Sequence, residues 1–151
     1  MMIFEITAII GAITGSVSLA MVVYKTIKDR PNLHCELGDC YYFTPNENDN
    51  FTNFSVGVKI HNRGGRNTTI YNSNLLIKNN EKEFDLASST FAFSVPQDST
   101  IVQYFQFGLK KKDGHVEKEP VNSIMTLKHT YGEEKIEIKK IRKLIGACHF
   151  D

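Results

Sequence analysis

The strongest constraint on this chain is a run of 19 consecutive uncharged residues, Ile6 to Tyr24 (ITAIIGAITGSVSLAMVVY). At about 1.5 Å rise per residue, a helix of that length covers roughly 28 Å, close to the hydrocarbon thickness of a bilayer. Its Thr and Ser hydroxyls can bond back to helical carbonyls. Charge resumes at Lys25, Lys28, Asp29 and Arg30, and Pro31 ends the helix by disfavouring helical geometry in the residue before it. The expectation is one transmembrane helix, anchored in lipid by Ile6, Ile9, Ile10, Ile13, Val17, Leu19, Met21, Val22 and Val23. Basic residues mark the cytoplasmic side, and here they follow the helix while Glu5 precedes it. This predicts a single-pass protein of the cell membrane with its following domain in the cytoplasm. A cleaved signal peptide fits less well, because MMIFE has no basic segment. A core helix of a globular domain would show a polar face, and none is visible. Gly11 and Gly15 form a GxxxG motif, which lets two helices approach closely, so a homodimer contact is placed there.

Beyond Pro31 the pattern turns from continuous to alternating. Leu33, Cys35 and Leu37 share one strand face; Phe54, Val56, Val58 and Ile60 share another. Asn62 to Asn67 reads as a glycine turn, followed by a strand over residues 68–77. Short strands follow over 84–86 and 91–95, then a longer one through Ile101, Phe105, Phe107 and Leu109. Residues 123–131 and 135–141 form a hairpin across Gly132-Glu133. Seven or eight short strands with no helical pattern among them predict an all-β fold, an antiparallel immunoglobulin-like β-sandwich. The chain divides into helix and basic linker (1–30), sandwich (31–144) and tail (145–151).

The stretch Phe54-Ser-Val-Gly-Val-Lys-Ile-His-Asn-Arg-Gly-Gly-Arg-Asn-Thr-Thr-Ile, a strand, an "N-x-G" turn and a strand, resembles many such sandwiches. With the N-terminal helix and the basic linker ending in "RP", the arrangement resembles a loose group of bacterial and archaeal proteins that join one helix to an Ig-like domain. The resemblance implies a fold and a location, and no activity.

Chemistry is sparse. The formal net charge of +1 gives no bulk attraction for nucleic acid, and none is expected as a partner. In a straight strand Cys35 and Cys40 face opposite sides about 16 Å apart, too far for a disulfide. His34-Cys35, Cys40 and Cys148-His149 have metal-binding residue types but not the tight CxxC spacing of zinc sites. No GxSxG elbow frames a serine. Arg63-Gly-Gly-Arg66 offers amides and guanidinium groups to an anion, but a hairpin turn explains its glycines equally well. Lys139, Lys140, Arg142 and Lys143 would attract anionic lipid if their strand ended beside the tether. No catalytic, cofactor or metal residues are assigned, no cofactor is expected, and the chain is read as not an enzyme. The leading reading is a membrane-anchored binding or scaffold module that contacts a protein partner. The alternative is a ligand- or ion-sensing accessory subunit of a membrane complex.

Overall fold

Alternation in the middle of the chain builds the fold. In the strand β2 (Phe51–Asn62), Phe54, Val56, Val58 and Ile60 are fully buried on one face, and Lys59 and His61 turn to the other. Burying four such side chains contributes roughly 1.5–3 kcal/mol each. The structure is a computed structural model, described here for residues 2–44, 51–79, 82–110, 112–114, 116 and 118–144, with the side chains of 2–7, 9, 10 and 79 left outside.

A helix, α1 (Met2–Lys28), leads into β1 (Leu33–Phe43) and then β2. β3 (Thr68–Asn79), β4 (Lys82–Ala87), β5 (Phe93–Val95) and β6 (Ser99–Lys110) follow. The chain continues through β7 (Val121–His129), β8 (Gly132–Lys140) and β9 (Arg142–Lys143). One sheet has the order β6-β2-β1-β9; the other runs β4-β3-β7-β8, with β5 also on β3. All pairings are antiparallel except the short β1–β9 pair. Phe54, Ile60, Phe105 and Phe107 of the first sheet share one core with Ile70, Leu75, Met125, Leu127 and Ile138 of the second. The two-sheet, all-β expectation holds. The strand that periodicity missed is β9, only two residues long and too short to show a period. The last hairpin turns two residues earlier than expected, at Thr130-Tyr131, and Gly132 takes φ 153° at the start of β8.

Among the described residues no helix is long and apolar enough to cross a membrane. This overturns the expected transmembrane anchor, the single-pass membrane location and the cytoplasmic placement that rested on it. The helix forms and extends past the uncharged run, but glycines, hydroxyls and the late lysines dilute it. Thr14, Ser16 and Thr26 hydroxyls do bond to Gly11, Ala12 and Val22 carbonyls, at 3.1, 2.8 and 2.8 Å. These bonds satisfy the hydroxyls without making the surface apolar. Length without charge was the wrong criterion, because each polar side chain subtracts from insertion even when uncharged.

The exit from α1 is fixed by the Asn62–Asn67 turn. Arg63 N donates to Asn32 O at 2.8 Å. Asn62 Oδ1 accepts from Gly64 N at 3.1 Å, while Asn62 Nδ2 donates to Arg66 O and Val95 O at 2.8 and 3.2 Å. Gly64 lies so close to the linker that a Cβ there would fall on Arg30 O and stand 2.5 Å from Asn32 N. Only glycine fits this approach. Gly64→Ala therefore forces backbone apart and lowers unfolding free energy by roughly 1–3 kcal/mol in urea titration. Gly108→Ala, whose Cβ meets Phe51 at 3.5 Å, stays within about 0.5 kcal/mol of the parent.

Candidate functional site

The outer face of the first sheet gathers a group of titratable side chains. The β1–β2 register sets His34 opposite His61 and Glu36 opposite Lys59. The β2–β6 register sets Thr100 on the other side of His61. Because directly opposed cross-strand residues lie within about 5.5 Å, these side chains meet. His34 Nε2 stands 3.7 Å from Glu36 Oε1, and His61 Nε2 stands 3.6 Å from Glu36 Oε2. Lys59 Nζ is 3.8 Å from the same Oε2. The two imidazole rings are 6.1 Å apart between centroids.

His61 is positioned from behind. Its Nδ1 lies 2.8 Å from Thr100 Oγ1. Its Nε2 is buried and has no hydrogen-bond partner. The 3.6 Å gap from His61 Nε2 to Glu36 Oε2 is longer than a well-formed hydrogen bond and closes an ion pair only when the imidazole carries a proton on both nitrogens. Interaction with His61 is the largest effect holding the Glu36 carboxyl below its ordinary range; desolvation, next in size, opposes it, and Lys59 and His34 add smaller lowering effects. Among the described residues, no group of three or more His, Cys, Asp or Glu side chains could hold a metal ion.

Beside this group the sheet face becomes apolar. Tyr104 lies across Gly57, where a Cβ would come within 2.9 Å of its ring. Tyr104 and Val102 are 46% and 62% exposed, which leaves an aromatic and aliphatic ledge next to Lys59. Gln106 Nε2 donates to Ser55 Oγ at 2.9 Å and covers that position.

Other residues singled out in the sequence land differently. A bulge between Leu37 and Cys40 turns both thiols toward the core, opposite Ile60 and Val56. They share a face rather than opposing one, yet their partners stand four positions apart on β2, about 13 Å. Burial, reinforced by Glu134 for Cys35 and Asp39 for Cys40, pushes both thiols up to about 11. In the Arg63–Arg66 turn two amides are taken up within the chain, Arg63 N by Asn32 O and Gly64 N by Asn62 Oδ1. The basic strand end lies beside Tyr41 and Tyr42, at the far end of β1 from the helix. That is about 30 Å from Leu33, so it does not sit beside the tether. Lys140 pairs with Glu119 there. Cys148 and His149 lie outside the described residues.

On α1, Ile13, Val17, Leu19, Met21, Val22 and Val23 are all exposed. Gly11 and Gly15 have nothing within 4 Å of a notional Cβ. The side chains of Ile6, Ile9 and Ile10 lie outside the described residues. A shallow open groove of about 300 Å³ on the second sheet is lined by Asn74, Asp85, Lys128, Glu133 and Lys135, among others. Its charges pair locally, Lys135 with Glu133 at 3.3 Å, and Asn74 Nδ2 donates to Asp85 at 3.2 Å.

No protein-family model matches the chain, and no curated protein does. Among solved structures it is similar to the structural genomics target SoR45, at 13% identity over 72% of this chain and 83% of that one, TM-score 0.48. It is similar to a protein from Archaeoglobus fulgidus, at 11% identity over 72% and 94%, TM-score 0.46. It is also similar to the apo PmoF2 PCuAC domain, at 11% identity over 77% and 96%, TM-score 0.44. Likenesses at this level carry no argument about function.

Two measurements follow from the site. Glu36 has a lowered folded pKa, so its contribution to stability is present above the unfolded value of roughly 4.3 and is lost as pH falls through the folded one. Carbon-detected NMR titration should place Glu36 below that value, and His61→Ala should return it upward. In mass-mapped alkylation at pH 8, Cys35 and Cys40 react far more slowly in the folded chain than in urea, because little thiolate is present.

Proposed function

We propose that this chain is a non-catalytic binding module whose copies associate through α1, presenting their immunoglobulin-like sandwiches together to a protein partner. The observation that carries this reading is the helix surface. Large apolar side chains from Ile13 to Ile27 stand about half or more exposed, and they surround the helix rather than forming one stripe. Contiguous apolar surface of that size marks an association site. The helix also has weak intrinsic support. Gly11 and Gly15 and the β-branched Ile13, Thr14, Val17, Val22, Val23, Thr26 and Ile27 all lower helix propensity. Most helical stability in proteins comes from packing, and the described part of this helix has little within its own chain.

A second copy suits the surface best. Gly11, Gly15, Ser18 and Val22 fall at spacings of four, three and four, a coiled-coil-like seam with small residues where backbones must approach. At about 1.5 Å per residue the 27-residue helix offers a seam of roughly 40 Å. The sandwich then projects from the end of the bundle, held by the Gly64 contact.

Sedimentation equilibrium on the full chain tests this. The parent should be oligomeric at micromolar concentration. Gly15→Leu improves helix propensity but blocks close approach, so it should retain helicity by circular dichroism while weakening association at least tenfold. A monomeric parent at high concentration, or a Gly15→Leu variant that associates as the parent does, would sink the proposal.

A further inference from the structure

We infer that a second copy of this chain pairs along the free edge of β6, strand against strand, in an antiparallel register centred on Val102. The contact goes beyond association through α1 and uses none of its residues.

The sheet edges are not alike. Natural sheets guard their outer strands with charge or brevity, because an open row of N–H and C=O groups recruits another strand. β8 carries Glu133, Glu134, Lys135, Glu137, Lys139 and Lys140. β4 carries Lys82, Glu83 and Asp85, while β5 and β9 are three and two residues long. β6 is the outermost strand of the first sheet, and from Ser99 to Leu109 it has no charged side chain.

Hydrogen bonds at one end of β6 show which backbone groups are open. Gln106 N donates to Thr90 Oγ1 at 3.4 Å, and Gln106 O accepts from Ser89 N at 3.0 Å, so Gln106 faces away from β2. The β2–β6 register runs from Phe51 to Asn62 without a shift. Alternation therefore turns the backbones of Tyr104, Val102 and Thr100 to the same open side. Among the described residues, no backbone group meets them there. Residues 88–90 close the edge at Gln106, which leaves a window centred on Val102.

This parity selects a second copy as the occupant. With Val102 opposite its own counterpart, Thr100 of each copy faces Tyr104 of the other, and all three open residues are engaged on both sides. Each opposed pair exchanges two N–H···O=C bonds. Tyr104 O already accepts from Gln103 Nε2 at 3.1 Å, and a carbonyl has a second lone pair. No like charges are set opposite one another. Lys59 lies beside Val102 on β2, so the two copies hold their Lys59 residues three strand spacings apart, about 14 Å, beyond the physiological screening length of about 8 Å. Val102 and Tyr104, 62% and 46% exposed, gain cover on the outer face. Phe91, next to Thr90 at the closed end of the window, is 91% exposed and adds apolar surface there.

Cysteine cross-linking of concentrated full-length protein with oxidised glutathione tests the register. Hydrogen-bonded antiparallel partners have Cα atoms about 5.5 Å apart, within disulfide reach. Val102→Cys should give a 102–102 disulfide, located by mass mapping. Thr100→Cys lies about 14 Å along the strands from its own counterpart and should self-link roughly tenfold less, yet should link to Tyr104→Cys when the two proteins are mixed. Gly15→Leu combined with Val102→Cys should give the same 102–102 product, which separates this contact from the helix seam. Val102→Lys sets like charges face to face at an exposed position. It should abolish the concentration-dependent NMR shifts of the Thr100 and Tyr104 amides that the parent shows. Linking at 102 no greater than at 100, absence of the 100–104 product, loss of the 102–102 product with Gly15→Leu, or amide shifts that persist in Val102→Lys would each overturn the inference, the last by giving the edge to a different strand.

Discussion

The register of β2 is the constraint on which the rest depends. Its inner set, Phe54, Val56, Val58 and Ile60, meets Phe105 and Phe107 of β6 and Tyr42 of β1 in the core. A slip of one residue would exchange the two faces, placing Lys59 and His61 in the core and four large apolar groups outside. Burial of the inner set makes that arrangement prohibitive. The same choice fixes the outer face, so the position of His61 beside His34, Glu36 and Thr100 is a consequence of core packing.

β1 departs from regular alternation at one place, and the departure matters. The bulge at Gly38-Asp39 shifts its register against β2, so Cys35 and Cys40 both turn inward. Gly38 and Gly57 come together there: a Cβ on Gly38 would lie 3.1 Å from Gly57 O. Tyr104 then covers Gly57 from outside. Close backbone approach, a bulge and an aromatic lid form one local solution. It ends the titratable cluster on one side and begins the apolar ledge on the other.

The helix and the sandwich meet through few atoms. The linker at residues 29–32 is gripped by a turn whose shape is set by Asn62 and whose closeness depends on Gly64. The glycines of the loop and the backbone of Arg63 form this clasp. The apolar residues that read as a lipid anchor are exposed along a helix too diluted with polar groups to cross a bilayer.

Periodicity alone determined the all-β character, most strand positions and the Asn62–Asn67 turn, because period-2 burial and glycine turns are local properties written in consecutive residues. It also marked α1 as helical, but it overstated what an uncharged run can do in lipid, where every hydroxyl and glycine weakens insertion. Only the tertiary structure decided which strands pair, and therefore which distant residues meet. His34 and Glu36 are two apart and visibly share a face, yet nothing local ties them to His61 or Thr100. Those contacts exist because long-range pairing brings β1, β2 and β6 side by side. The fate of the cysteines and of the basic strand end was likewise decided by a bulge and a parallel pairing, neither of which leaves a periodic trace in the sequence.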